Sequence, residues 1–156
     1  MAPLDPPAVL ERLGNTARDL VALLGTARGD RLRRGPSTAD WSPAEVVNHL
    51  ADAELVYSVR LRVAITSDRS LLPTYDEGAW VRRFAELEVD PKQSLARWRM
   101  LREANLRLLE SLAPEEWGLA GLHPERGELT VARMAEILVD HDRQHLAQIR
   151  AGLADD

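Results

Sequence analysis

The stretch Ser42–Thr66, SPAEVVNHLADAELVYSVRLRVAIT, decides the fold class. Ser42 is a helix N-cap residue, Pro43 suits the first helical position, and Glu45 stands three residues after the cap, a capping box. Beyond it Val46, Leu50, Ala53, Tyr57, Leu61 and Ala64 recur at helical spacing and form one apolar stripe. A helix striped in this way must bury that face against other elements.

Three further segments carry the same signature. Val9, Leu10, Leu13, Ala17, Leu20, Val21 and Leu24 form a first helix, with Gly29 beyond its end. A third opens at Asp90-Pro91, carries Leu95, Trp98, Leu101, Leu108, Leu109 and Leu112, and ends before Pro114. A fourth starts after Thr130 as N-cap, presents Met134, Leu138 and Ile149, and stops near Gly152. Composition agrees: 46 of the 156 residues are Leu or Ala, against 14 Val or Ile and 6 Thr, so strong helix formers outweigh strand formers. The expected fold is all-α, a four-helix bundle forming one domain over residues 1–156. The connections 28–41, 67–90 and 113–129 are long for a bundle. The middle one predicts a short helix around Asp76–Glu86, and a crossover of that length lets helices two and three run parallel.

The chain has no cysteine, which excludes a disulfide scaffold, a thiolate zinc site, an iron–sulfur cluster and a cysteine nucleophile. A net charge of −5 and a pI near 5.4 disfavour nonspecific attachment to a phosphate backbone, so no nucleic-acid partner is expected. No apolar run approaches the length of a membrane span, and the N-terminus lacks a leader pattern, so a cytoplasmic protein without a membrane partner is expected. Walker, GxSxG, HExxH and di-iron ExxH motifs are absent.

The histidines carry the chemistry. His141 and His145 stand four apart on helix four, on one face about a turn apart. At about 100° per residue both fall inside the stripe of Met134, Leu138 and Ile149. On helix two, His49 lies close in angle to Ala53, Val46 and Val56, which places it on the buried face as well. Three inward imidazoles need partners for six ring nitrogens. A bound divalent cation supplies one solution, since neutral imidazole suits zinc or nickel first, with iron, cobalt or manganese after them. Core histidines bonded to one another, to water or to carboxylates are the other.

Two stretches resemble a known family. Trp41-Ser42-Pro43-Ala44-Glu45-Val46-Val47-Asn48-His49-Leu50-Ala51-Asp52-Ala53-Glu54 is similar to the opening motif of the DinB-like (DNA-damage-inducible, YfiT-like) metalloenzymes. Thr130-Val131 followed by His141-Asp142-Arg143-Gln144-His145-Leu146-Ala147-Gln148-Ile149 resembles their closing helix, and Tyr75-Asp76-Glu77-Gly78-Ala79-Trp80 fits their crossover. The resemblance implies an up-down-down-up bundle, often a homodimer, with a divalent metal held by His49, His141 and His145. The family often has His where this chain has Gln144. The resemblance also implies a small-molecule substrate and, among activities, S-transfer with a low-molecular-weight thiol. The expected function is a metal-dependent transferase or hydrolase, thiol transfer preferred; the alternative is a non-catalytic, stress-associated metal-binding bundle. No catalytic residue is assigned.

Asn105, inside helix three's stripe, is a contact to ligands or substrate, or a polar core residue fixing register. Gln148 shares the face of the two histidines and is placed to hydrogen-bond a bound water. Trp41 and Trp80 wall a pocket or pack the core. Asp52 and Asp142 orient a ligand's outer N–H or lie at the surface. Glu54, some 140° from His49, reads as an ion-pair residue, and His123, beside Pro124 and Gly127, as a surface loop residue.

Overall fold

Cap residues set the helix starts in the computed structural model, which describes residues 5–27, 29–33, 41–67, 69–85, 87 and 90–154. Asp5 caps α1 (Pro6–Gly25) by accepting the N–H of Ala8, and a short α2 (Gly29–Leu32) follows. Ser42 caps α3 (Pro43–Thr66), where the capping box forms as the sequence predicts. Asp76 Oδ1 accepts the N–H of Ala79 at the head of α4 (Glu77–Ala85), the short helix expected in the crossover. Asp90 caps α5 (Pro91–Glu110), and Thr130 Oγ1 accepts the N–H of Arg133 at the start of α6 (Val131–Ala154). No described helix is long and apolar enough to cross a membrane.

Side-chain pairs fix the helix directions. Asn48 meets Ser94, Glu54 meets Arg102 and Ser58 meets Asn105, so numbers rise together and α3 and α5 run parallel. Val46, Val47 and Leu50 cluster with Leu146 and Ile149, while Leu61 and Ala64 cluster with Val131 and Met134, so α3 and α6 are antiparallel. Leu20 joins the first cluster, and Val9 and Leu13 the second, which sets α1 parallel to α6. The result is an all-α, up-down-down-up four-helix bundle of α1, α3, α5 and α6, with α4 in the crossover.

The two apolar clusters are separated by a charged layer. Arg102 on α5 binds Glu54 through Nε (3.0 Å) and Nη2 (2.7 Å), and Asp142 through Nη1 (2.7 Å), each of the three residues 1% exposed. Arg102 Nη1 also donates to the carbonyl of Leu13 on α1, and its guanidinium sits 4.6 Å from the Trp98 ring centroid. One side chain therefore ties all four helices together. Glu54 is the ion-pair residue its helical phase indicates. The surface reading of Asp142 and Asp52 is corrected: both are buried, and Asp52 accepts from Arg97 (2.8 Å) and Asn48 (3.2 Å). Sixteen of the 24 residues of α3 are buried, so nearly every face of this helix packs against something and its polar residues need internal partners.

The connection before α6 holds structure that helical periodicity does not reveal. A 3₁₀ turn (Pro114–Gly118) leads into an antiparallel hairpin, β1 (Ala120–His123) and β2 (Gly127–Thr130). Gly127, at φ +71°, takes the left-handed conformation that closes the turn. Gly121 has no room for a Cβ because the Leu72 side chain lies against it. Leu72 donates to Leu122 O and Leu122 to Ser70 O, both at 2.9 Å, which ties the crossover to the hairpin. The same hairpin buries His123 to 7% exposure, correcting its surface assignment.

Candidate metal centre

α3 and α6 each bring imidazole to the groove between them. Near the N-terminal end of α3, the Ser42 capping box holds the first turn, and His49 follows one and a half turns later on the face toward α6. On α6 the four-residue spacing stacks His141 and His145, whose ring centroids are 4.4 Å apart. His49 Nε2 stands 3.0 Å from His141 Nε2, and one ligand atom from each of the three residues falls within 4.8 Å of the others. Among the described residues this is the one group of three or more such donors.

Burial sets the protonation of the cluster. His49 is 1% exposed, and burial, with His145 beside it, lowers its pKa to about 4. Burial, then His145 and His49, lower His141 to about 3. Both rings are neutral near pH 7, the form in which imidazole nitrogen offers a lone pair to a metal. The tautomer of His145 is selected from outside: Gln148 Oε1 lies 2.8 Å from His145 Nδ1 and can only accept, so in the neutral ring the proton sits on Nδ1 and the lone pair on Nε2. His141 Nδ1 is buried with no protein partner.

Trp41 walls the cluster. Its ring lies parallel to His145 (13°, centroids 6.4 Å apart) and 5.0 Å from His49. Gln148 and Trp41 therefore touch the histidines. Asn105 and Trp80 are engaged elsewhere. Asn105 accepts from Ser58 (3.0 Å) and Arg62 (3.1 Å) and donates to Glu54 (2.8 Å), joining the charged layer, while Trp80 packs with Tyr75 and Phe84 in the crossover.

Sequence reasoning passes over Glu77. At the first position of α4, its Oε2 lies 4.0 Å from His49 Nε2, and its side chain is 62% exposed. The crossover thus delivers a solvent-facing carboxylate to the edge of the cluster. The stretch Tyr75–Trp80 that carries the family resemblance contains it, but neither helical phase nor spacing connects position 77 to histidines on other helices. Three imidazole nitrogens with an acid beside them form a set that could hold a borderline divalent ion with coordination positions left open.

Comparisons with known proteins agree with the geometry. The family model described as "DinB superfamily" matches residues 12–149. A protein of Oceanobacillus iheyensis named "Putative metal-dependent hydrolase" is 28% identical over 137 residues, 88% of this chain and 75% of its own length. YfiT of Bacillus subtilis, named in the same way, is 29% identical over 70% of this chain and 62% of its own length, so that match spans under two thirds of the relative. The solved YfiT structure, described as a four-helix bundle of unusual topology, superposes with a TM-score of 0.87 at 23% identity, covering 94% of this chain and 85% of that one. Both relatives are named for metal-dependent hydrolysis, and neither name supports the expected preference for thiol transfer. The colibactin self-resistance protein ClbS, solved in complex with a dsDNA, shares the fold at a TM-score of 0.74 and 12% identity, covering 97% of this chain and 96% of that one. That corrects the exclusion of a nucleic-acid partner: a bundle of this fold meets DNA, and net charge averaged over a whole chain does not describe one face of it.

Proposed function

Because the chain belongs to the DinB superfamily, we propose that it is a metal-dependent hydrolase whose divalent ion is held by His49, His141 and His145. The observation that carries this reading is the convergence of one ring nitrogen from each of three imidazoles within 4.8 Å in a half-buried groove. Such a nitrogen set suits zinc or nickel. The bundle acts as one domain.

When bound, a divalent ion at such a site polarises the bond to be cleaved and lowers the pKa of water toward 7. The chain's own residues supply the rest. His49, His141 and His145 bring one ring nitrogen each to the same groove, and burial keeps His49 and His141 neutral. Gln148 fixes the His145 ring through Nδ1, and Trp41 covers it from the side. Glu77 is the proton carrier: it accepts the proton of the attacking water and returns it to the leaving group.

Metal content by mass spectrometry and hydrolysis of an ester panel test the assignment together. His49→Ala, His141→Ala and His145→Ala each lose most of the metal, whereas His123→Ala keeps it. Glu77→Gln keeps the metal and loses about a hundredfold or more in hydrolysis. Equal metal loss from His123→Ala, or full activity in Glu77→Gln, would contradict these roles.

A further inference from the structure

Beside His141 a cavity of about 290 Å³ opens between α3, the crossover and the hairpin. Its wall includes Tyr57, Arg60, Tyr75, Glu77 and His123. Arg60 is the unusual member. It is 5% exposed, yet among the described residues no carboxylate lies within ion-pair distance of it. Its Nε donates to Pro73 O (2.9 Å), its Cζ lies 5.1 Å from the Tyr57 ring centroid, and its Nη2 stands 3.2 Å from His123 Nε2. All these partners are neutral. Removing a guanidinium from water costs several kcal/mol, and the usual compensation is an anion. Arg102, buried to 1% exposure, has two of them.

The histidine beside Arg60 gives a second, independent sign. His123 Nδ1 faces the backbone N–H groups of Glu125 and Arg126, both at 3.3 Å, and so acts as acceptor. The proton of the neutral ring then sits on Nε2, next to the Arg60 Nη2 donor. Two donors meet with no acceptor between them. Burial, then Arg60 and Arg126, push the His123 pKa down, so the ring is held in that neutral form. The carboxylates of Asp76, Glu77 and Glu125 also line the cavity, but all three residues are exposed at its rim.

We propose that this cavity binds an oxyanion group of the substrate, a carboxylate or a phosphate, between the Arg60 guanidinium and His123 Nε2–H, while the bond to be cleaved lies at the three histidines. The inference rests on the hydrolase reading for what happens at the histidines, and on Arg60 and His123 alone for the anion. Arg60 follows His49 by eleven residues on α3, about 16 Å along the axis. Helical side chains lean toward the N-terminus, so Arg60 reaches back toward the histidines and the two ends of the substrate are closer than that. Arg is suited to the role because its planar fork matches both oxyanions.

The test is titration of the full-length protein, with the metal it carries and again after chelation, using inorganic phosphate in one arm and acetate in the other. The Arg60 Nε–H resonance, followed by nuclear magnetic resonance, shifts saturably with at least one of the two anions in both forms, and the responding arm identifies the oxyanion. Arg60→Gln weakens that binding tenfold or more, and Arg60→Lys, which keeps the charge, restores part of it. If neither anion moves the resonance, the subsite is refuted, and this readout does not require the variants to fold. Binding that vanishes on chelation but survives in Arg60→Gln places the anion at the metal and overturns the proposal. A protein that binds the anion in this way yet hydrolyses nothing refutes the hydrolase reading and leaves the subsite standing.

Discussion

The charged layer and the histidine cluster lie side by side in the bundle, Glu54 five residues after His49 and Asp142 next to His141, and they meet the cost of burial in opposite ways. Arg102 has acceptors on three helices, and Glu54 also takes a hydrogen bond from Asn105. Burial opposes the charge on Arg102, but Asp142 and Glu54 outweigh it and hold the guanidinium firmly protonated. That cluster is closed: its groups satisfy one another. The histidine cluster is open. Two of its rings, His49 and His141, are kept neutral by burial, the third is oriented by Gln148, and one nitrogen from each falls within 4.8 Å of the others. A closed polar cluster fixes a fold, whereas an open one provides a site.

The comparison is broken most severely by Arg102→Met, which leaves Glu54 and Asp142 buried without their cation. We expect a loss of about 3–5 kcal/mol, read as a drop of roughly 2–4 °C in melting temperature per kcal/mol. Metal content per folded molecule stays unchanged; its loss would show that the two clusters are one unit. Chelation is the converse experiment. It removes roughly 2.7 kcal/mol where metal had been at a hundredfold excess over its Kd, while far-ultraviolet circular dichroism at 25 °C keeps its helical form, because the apolar clusters and the charged layer are intact. Unfolding on chelation would mean that the open cluster also holds the fold.

Two smaller changes sharpen the contrast. Gln148→Ala frees the His145 ring and weakens metal binding about 10- to 100-fold in competition with a chromophoric chelator. Unchanged affinity would assign the ring's orientation to Trp41 alone. Ser42→Ala removes the cap of α3 and costs about 1 kcal/mol in chemical denaturation. A wild-type denaturation curve would show that the capping box adds nothing beyond packing.

Legibility followed the kind of physics involved. Caps and periodicity are local, so the four long helices, the short crossover helix and the inward phase of His49, His141 and His145 were all readable along the chain. The hairpin was not, because four-residue strands carry little alternation and β1 is anchored through Leu122 to the distant Ser70 and Leu72. His123 was misplaced for the same reason. Arg102 was passed over although it shares the α5 face of Trp98 and Asn105, since a charged residue inside an apolar stripe is discounted unless its partners are known. Its partners sit 48 residues back and 40 ahead.

The chain alone determined the helices, their buried faces and the presence of three inward histidines, because each depends on side chains within a turn or two of one another. The tertiary structure alone decided which atoms meet. It brought Glu77 from the crossover to within 4.0 Å of His49, and set Arg60 against His123 across 63 residues. It also gave Arg102 two anions while leaving Arg60 with none among the described residues. Helical phase tells which way a side chain faces within its own helix. What it faces depends on how the long connections return the chain, and that is set by packing between segments whose separation the local pattern does not encode.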